Sequence, residues 1–211
     1  LDSRNTVKME GEVKLFGRWS YADVNVADEG MKRYICLTPM FIPHSSGRET
    51  GKQFSQSKKN IVERLVNKLM KSGQGTKKVS GKFIRGRYNT GKKQHALKIV
   101  EDAFEVIEKR EKRNPMQVFV EALVNAGPRE ETTAIIYGGI RYHKAVDVST
   151  QRRVDFGLKN IALGAFTTSF KSKKTIENAL AEEIIWASHS DTKSHAIQKK
   201  EETERIAKSS R

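Results

Sequence analysis

The sequence predicts a mainly α protein: a bundle of about six helices with an extruded β-hairpin arm and a basic N-terminal extension. Two observations carry the fold. Apolar residues recur at helical spacing in several separate stretches, and one stretch instead reads as two strand-like runs around a paired-glycine turn. A third observation, the charge, bears on what the bundle is for. Forty Lys and Arg against 25 Asp and Glu leave +15.

Taken in order, residues 1–57 show little periodicity. Gly17, Trp19, Pro39, Pro43 and the region from Gly47 to Gly51 predict an extended arm with short strands or turns. Residues 58–211 read as the helical domain. Its first helix is Ile61–Lys71, with Ile61, Val62, Leu65, Val66, Leu69 and Met70 on one face. Residues 72–91 read as a long basic loop punctuated by Gly73, Gly75, Gly81, Gly86 and Gly91. Gln94–Arg110 is the next helix, buried along Ala96, Val100, Ala103 and Ile107. Pro115 opens a third, where a missing N–H costs nothing; it runs to Ala126 and buries Val118, Phe119, Ala122 and Leu123. Gly127 and Pro128 break it.

A hairpin follows over 134–148, with strand runs 134–137 and 140–148 flanking Gly138 and Gly139. Paired glycines supply the positive φ angles of a tight two-residue turn. A lone hairpin is marginal in water, so this one must lean on helices or a partner. Ser149 or Thr150 is placed to cap a helix through Thr168, buried along Leu158, Ile161, Ala162 and Ala165. Thr175 is placed to cap another, with Ile176, Leu180, Ile184 and Ala187 inward. Ala196–Lys208 is a last, mostly charged helix anchored by Ile197 and Ile206.

The charge is concentrated. Between residues 58 and 98 lie Lys58, Lys59, Arg64, Lys68, Lys71, Lys77, Lys78, Lys82, Arg85, Arg87, Lys92, Lys93 and Lys98, and the only acid is Glu63. A short charge run is usually a solvated face. A one-sign run this long repels itself unless a polyanion covers it, so nucleic acid is the expected partner and an acidic membrane surface the second choice. No stretch approaches the roughly 18 apolar residues of a membrane helix. Cys36 stands alone, which argues against a disulfide framework or a Cys-based zinc site and for a reducing cytosol. The arm and the 72–91 loop are short of apolar residues to offset ordering entropy, so little amide protection is expected there without RNA.

Enzyme readings fare poorly. Residues 86–93 fit a phosphate-binding P-loop except at the last position, where Ser or Thr should hold magnesium and Lys93 stands. His44, His95, His143, His189 and His195 are scattered without metal-ligand spacing, and no nucleophile elbow occurs. The expectation is no catalytic residue, no metal and no cofactor.

Several widely spaced segments together resemble one family. They are Asn114 and Pro115, the run 126–130 (AGPRE), 145–148 (AVDV), Arg152 and Arg153, 61–65 (IVERL), 91–93 (GKK) before Ala96, Ile99, Val100 and Ala103, and 180–184 (LAEEI). In this order they resemble the universal small-subunit ribosomal protein S-seven family, across about residues 13–211. The arm 13–20 (VKLFGRWS), Pro43, His44, Ser45 and the ending 206–211 look like its archaeal and eukaryotic branch; the 137–139 turn leans archaeal. One departure is the stretch 73–90, longer and more basic than the family's usual link. The resemblance implies a structural constituent of the small ribosomal subunit that binds rRNA of the 3′ major domain and helps nucleate head assembly. It implies a hairpin near the mRNA exit path and the exit-site tRNA, contact with the neighbouring protein S-eleven, no membrane and no homo-oligomer. A free-standing RNA-binding module outside the ribosome is the alternative.

The residues expected on rRNA are Lys58, Lys59, Arg64, Lys68 and Lys71 on the wet face of the first helix, Lys77 and Lys78 in the loop, Lys92 and Lys93 before a helix start, Arg129 at the hairpin base, and Arg152 and Arg153 in the helix after it. Pairing with Glu130, Glu131 or Asp155 is the alternative for Arg129 and Arg152. Arg48 and Lys52 are weaker candidates. Tyr137, Gly138, Gly139, Arg141 and Tyr142 form the tip expected near tRNA and mRNA, although Tyr137 and Tyr142 suit cross-strand packing as well as base stacking.

Overall fold

The computed structural model describes residues 13–47, 51, 54–79, 82–85 and 91–211, with 74–79 and 82–85 described by backbone alone. Chain order is α1 (Glu29–Lys32), a 3-10 turn (Ser55–Lys58), α2 (Ile61–Met70), β1 (Gln74–Val79), β2 (Lys82–Arg85), α3 (Lys93–Glu111), α4 (Pro115–Ala126), β3 (Glu130–Tyr137), β4 (Ile140–Asp147), α5 (Thr150–Ser169), α6 (Ile176–Ser188) and α7 (His195–Ser209). The fold class is the expected one: helices α2–α7 make the bundle and β3–β4 project from it.

Helix α6 is central, packed on α3, α4, α5 and α7. Its inward residues include Ala179, Ala181 and Ala187, small enough for close approach on several sides. Helices α4 and α5 also cross closely. A Cβ on Gly157 would lie 3.4 Å from the Ala126 Cβ. Helix α4 buries Val118, Phe119, Val120, Ala122 and Leu123, which is more than one narrow stripe. The last helix is capped from inside the bundle. Ser194 Oγ accepts from Ala196 N and Ile197 N, and the buried Glu183 carboxylate of α6 accepts from Ser194 Oγ at 2.7 Å and Ala196 N at 3.0 Å. Gly164 of α5 makes room for that carboxylate, since a Cβ there would sit 2.7 Å from its carbon. Burial pushes the Glu183 carboxyl above its ordinary range against these donors.

The N-terminal segment departs from expectation. Residues 13–45 are a strap that shares the helical core, not an extended arm. Leu15, Trp19, Tyr21, Val26, Met31 and Ile35 are buried. The chain of rings Phe16, Trp19, Phe104 and Phe119, with centroids 5.7–6.2 Å apart, runs from the strap into α3 and α4. The apolar residues carry no period because the backbone that presents them is irregular. Two asparagines clamp this strap. Asn60 Oδ1 accepts from Val62 N at the start of α2 while its Nδ2 donates to Thr38 O; Asn114 Oδ1 accepts from Met116 N at the start of α4 while its Nδ2 donates to Ser20 O. The amide lets one side chain cap the helix through its oxygen and donate onward through its nitrogen, which a carboxylate cannot do.

Three further expectations change. Residues 74–79 and 82–85, read as loop, are antiparallel strands. Strand β3 begins at Glu130 rather than 134, because a hairpin exposed on both faces shows no apolar alternation at its base. Ser149 and Thr175 do occupy N-cap positions, but neither side chain accepts a capping bond.

Candidate nucleic-acid interface

Strands β3 and β4 pair in continuous register from Glu130–Asp147 to Tyr137–Ile140. Gly138 and Gly139 have φ of +57° and +82°, the left-handed turn that their lack of Cβ permits. The register sorts the tip into two faces. Ile135, Tyr137, Ile140 and Tyr142 share one; Ala134, Ile136, Arg141 and His143 share the other. Tyr137 is 79% exposed and Ile136 65%. Most of the hairpin therefore stands clear of the bundle. Its base is held by α7 and α5. Arg129 N donates to Glu204 Oε1 at 2.9 Å, Arg211 pairs with Glu130, and Arg152 grips Glu131 with two bonds of 2.7 Å.

The expected phosphate-binding cations divide into exposed, paired and buried. Lys58, Lys71, Lys92 and Arg129 are exposed, and their side chains make no ion pair among the described residues. Lys68 is half-buried, 3.1 Å from Asp155. Arg152 remains largely exposed, yet its partner is Glu131, whose bonds hold the guanidinium above its ordinary value. Lys93 is tied inward: its Nζ donates to Glu63 Oε1 at 2.5 Å and lies 2.8 Å from His44 Nδ1, and Ser45 Oγ donates to the same carboxylate. Burial opposes ionisation of Glu63, but Lys93 and Ser45 outweigh it and hold the carboxyl below its usual range.

Three expectations are corrected outright. Lys59 and Arg64 are buried, not on the wet face of the first helix, and Arg153, expected to meet phosphate from the first turn of α5, is buried too. Arg64 Nη1 donates to Tyr34 O at 2.9 Å, and burial pulls its guanidinium down from its ordinary value with Asp155 opposing. Arg153 Nη1 donates to Asp28 Oδ2 at 2.9 Å and ties α5 to the strap. Burial disfavours the Asp28 charge, but the bond and charge of Arg153 prevail and lower its pKa. Lys77 and Lys78 lie on β1, their side chains outside the description. Arg48, Lys52 and most of the P-loop-like run, residues 86–90, also lie outside the described residues.

Two further cations are exposed beside these, Lys98, which belongs to the basic run, and Lys144, which does not. Lys98 lines a cleft of about 880 Å³ with Lys92, Lys93, His44, His95 and one carboxylate, Glu101, beside the apolar Phe16, Ile42 and Leu97. Lys144 stands exposed on β4. A three-residue spacing from His95 on one helix face was a sequence signal for the first. Cations beside apolar side chains can hold a phosphate and its base together. Among the described residues no three metal-ligating side chains gather, and no helix is long and apolar enough to cross a membrane.

Residues 31–211 match the family described as Ribosomal protein S7p/S5e. The chain is 50% identical over 201 residues to the small ribosomal subunit protein uS7 of Methanococcus aeolicus, and 51% identical over 201 residues to that of Methanococcus maripaludis strain C6. Each alignment spans 95% of this chain and 100% of the relative.

Proposed function

The chain belongs to the Ribosomal protein S7p/S5e family, of archaeal type, and from that premise we propose that it is a structural constituent of the small ribosomal subunit in the cytoplasm. It binds rRNA of the 3′ major domain and helps nucleate the head. Its hairpin lies near the exit-site tRNA and the mRNA exit path, beside the protein S-eleven. It works by binding and positioning rather than by catalysis.

The observation that carries this reading is the fate of the one acid in the basic run. Glu63 is buried and satisfied by Lys93, so within 58–98 no carboxylate is left to face the other cations. Lys58, Lys71, Lys92 and Lys98 stay exposed. Releasing counterions from RNA phosphates is what such a surface does well. The two-faced hairpin supports a second role. Arg141 and His143 suit nucleic acid, whereas Ile135, Tyr137, Ile140 and Tyr142 suit a base stack or a neighbouring protein's apolar patch.

Binding to a head-domain rRNA fragment, compared with an unrelated RNA of equal length across a salt series, tests the proposal. The expected result is a preference that survives at high salt, where non-specific phosphate contacts fade. Affinities that are equal and fall together would overturn it.

A further inference from the structure

On the α2–α5 side of the bundle lies a recess of about 430 Å³, lined by Lys59, Arg64, Lys68, Lys71 and a single carboxylate, Asp155, with Gln56 among the neutral residues. Its composition is odd for a structural feature. Lys59 and Arg64 are 7% and 3% exposed, a burial that cations rarely tolerate without partners. Asp155 serves two of the four cations and satisfies neither fully. Lys68 Nζ takes its Oδ1 at 3.1 Å, which leaves Arg64 Nη2 at 3.5 Å from that same oxygen. That is longer than a charge-assisted bond should be. Arg64 Nη2 is buried and makes no hydrogen bond in the described structure. Among the described residues no ion pair is made by Lys59 or Lys71. One carboxylate against four cations leaves a fixed surplus of three positive charges around a concave space.

We infer that this recess is a built oxyanion site that takes one tetrahedral phosphate, with Arg64 and Lys59 at its floor and Lys68 and Lys71 at its rim. The site rests on the ribosomal reading only for the source of that phosphate, an RNA backbone rather than free phosphate. A single phosphodiester would supply the acceptor that Arg64 Nη2 lacks and would balance one of the surplus charges. Asp155 is a positioning residue, holding Arg64 and Lys68 in place. The role expected of Arg64 from sequence, as a solvent-facing clamp, is thus replaced by one in which its burial matters, because a guanidinium fixed in place loses little entropy on binding.

The test follows the Arg64 Nε–Hε resonance of the full chain while inorganic phosphate is added, against chloride at matched ionic strength. A saturable shift with phosphate alone is expected. In Lys71→Gln, an exposed position that leaves the core untouched, apparent affinity should fall roughly tenfold, and in Lys59→Gln at least as much. A shift that is linear, or an affinity that stays at the wild-type value in both variants, overturns the site whatever the rRNA fragment does. A second arm repeats the titration with the head-domain fragment bound. Loss of the phosphate response there identifies an RNA phosphodiester as the occupant. An unchanged response makes free phosphate the occupant and overturns the backbone assignment. A saturable phosphate site in a chain with no preference for the head fragment would overturn the ribosomal reading while leaving the site standing.

Discussion

The strap over residues 13–45 has no regular backbone beyond the single turn of α1, and the core closes over Leu15, Trp19, Tyr21, Val26, Met31 and Ile35. The hairpin of β3 and β4 is the most regular non-helical element, paired residue for residue, and it leaves Ile136, Tyr137 and Ile140 in solvent. Regularity and burial have come apart. A hairpin satisfies its own cross-strand polar groups and can stand alone in water if a partner waits for its surface. An irregular strap cannot pair with itself, so it survives only where core contacts and side-chain clamps hold it.

The comparison breaks most easily at Trp19. Trp19→Ala removes a buried ring and the Nε1–Glu108 bond, and should cost about 3–5 kcal/mol in equilibrium denaturation. A loss below about 1 kcal/mol would mean the strap is dispensable. Next is Asn114→Ala, which takes away the α4 cap and the bond to Ser20 together; about 1–2 kcal/mol is expected. Asn114→Asp, which keeps the cap acceptor and gives up only the donor to Ser20, should lose less; equal losses would show that the cap contributes nothing, and no loss in Asn114→Asp that the strap bond contributes nothing.

The buried carboxylates sharpen the contrast by their opposite signs. Glu63, tied to the strap through Ser45, has a lowered pKa, so its contribution is present above the unfolded carboxylate value and lost as pH falls through the folded one. Glu183, away from the strap, has a raised pKa, so its contribution is present at low pH and lost as pH rises through its raised value. Denaturation from about pH 2 to about pH 8 should therefore show Glu63→Gln flattening the acid-side loss and Glu183→Gln removing the penalty at neutral pH. The same slope change from both would contradict these environments.

The smallest effect belongs to the hairpin: Tyr137→Ala and Ile136→Ala should each move global stability by no more than about 0.5 kcal/mol, while amide exchange stays fast at the tip and slow at Leu15 and Asn25, whose N–H groups bond Trp19 O and Gln117 Oε1.

Much of the helical scaffold was legible. Pro115 and Gly127 fixed the ends of α4, and stripes such as Val100, Ala103 and Ile107 are buried where the period put them. The strap was not legible, since its partners lie on helices far along the chain and irregular backbone has no period to read. At the interface, charge marked the basic run but not which cations are spoken for. Arg152 met Glu131, a partner visible nearby in sequence. Arg153 met Asp28, 125 residues away, and no local reading reaches that far. The strands at 74–85 stayed hidden because glycine and lysine are poor strand formers.

The strap's anchors also set a schedule for synthesis. Trp19 waits for Glu108, Asn25 for Gln117 and Asp28 for Arg153, separations of 89, 92 and 125 residues. The part of the chain made early is thus among the last to be covered. At ordinary translation speed that leaves it bare for roughly ten seconds. During that interval its aromatic side chains are open to any chaperone or aggregating neighbour, and only the emergence of α5 closes the window.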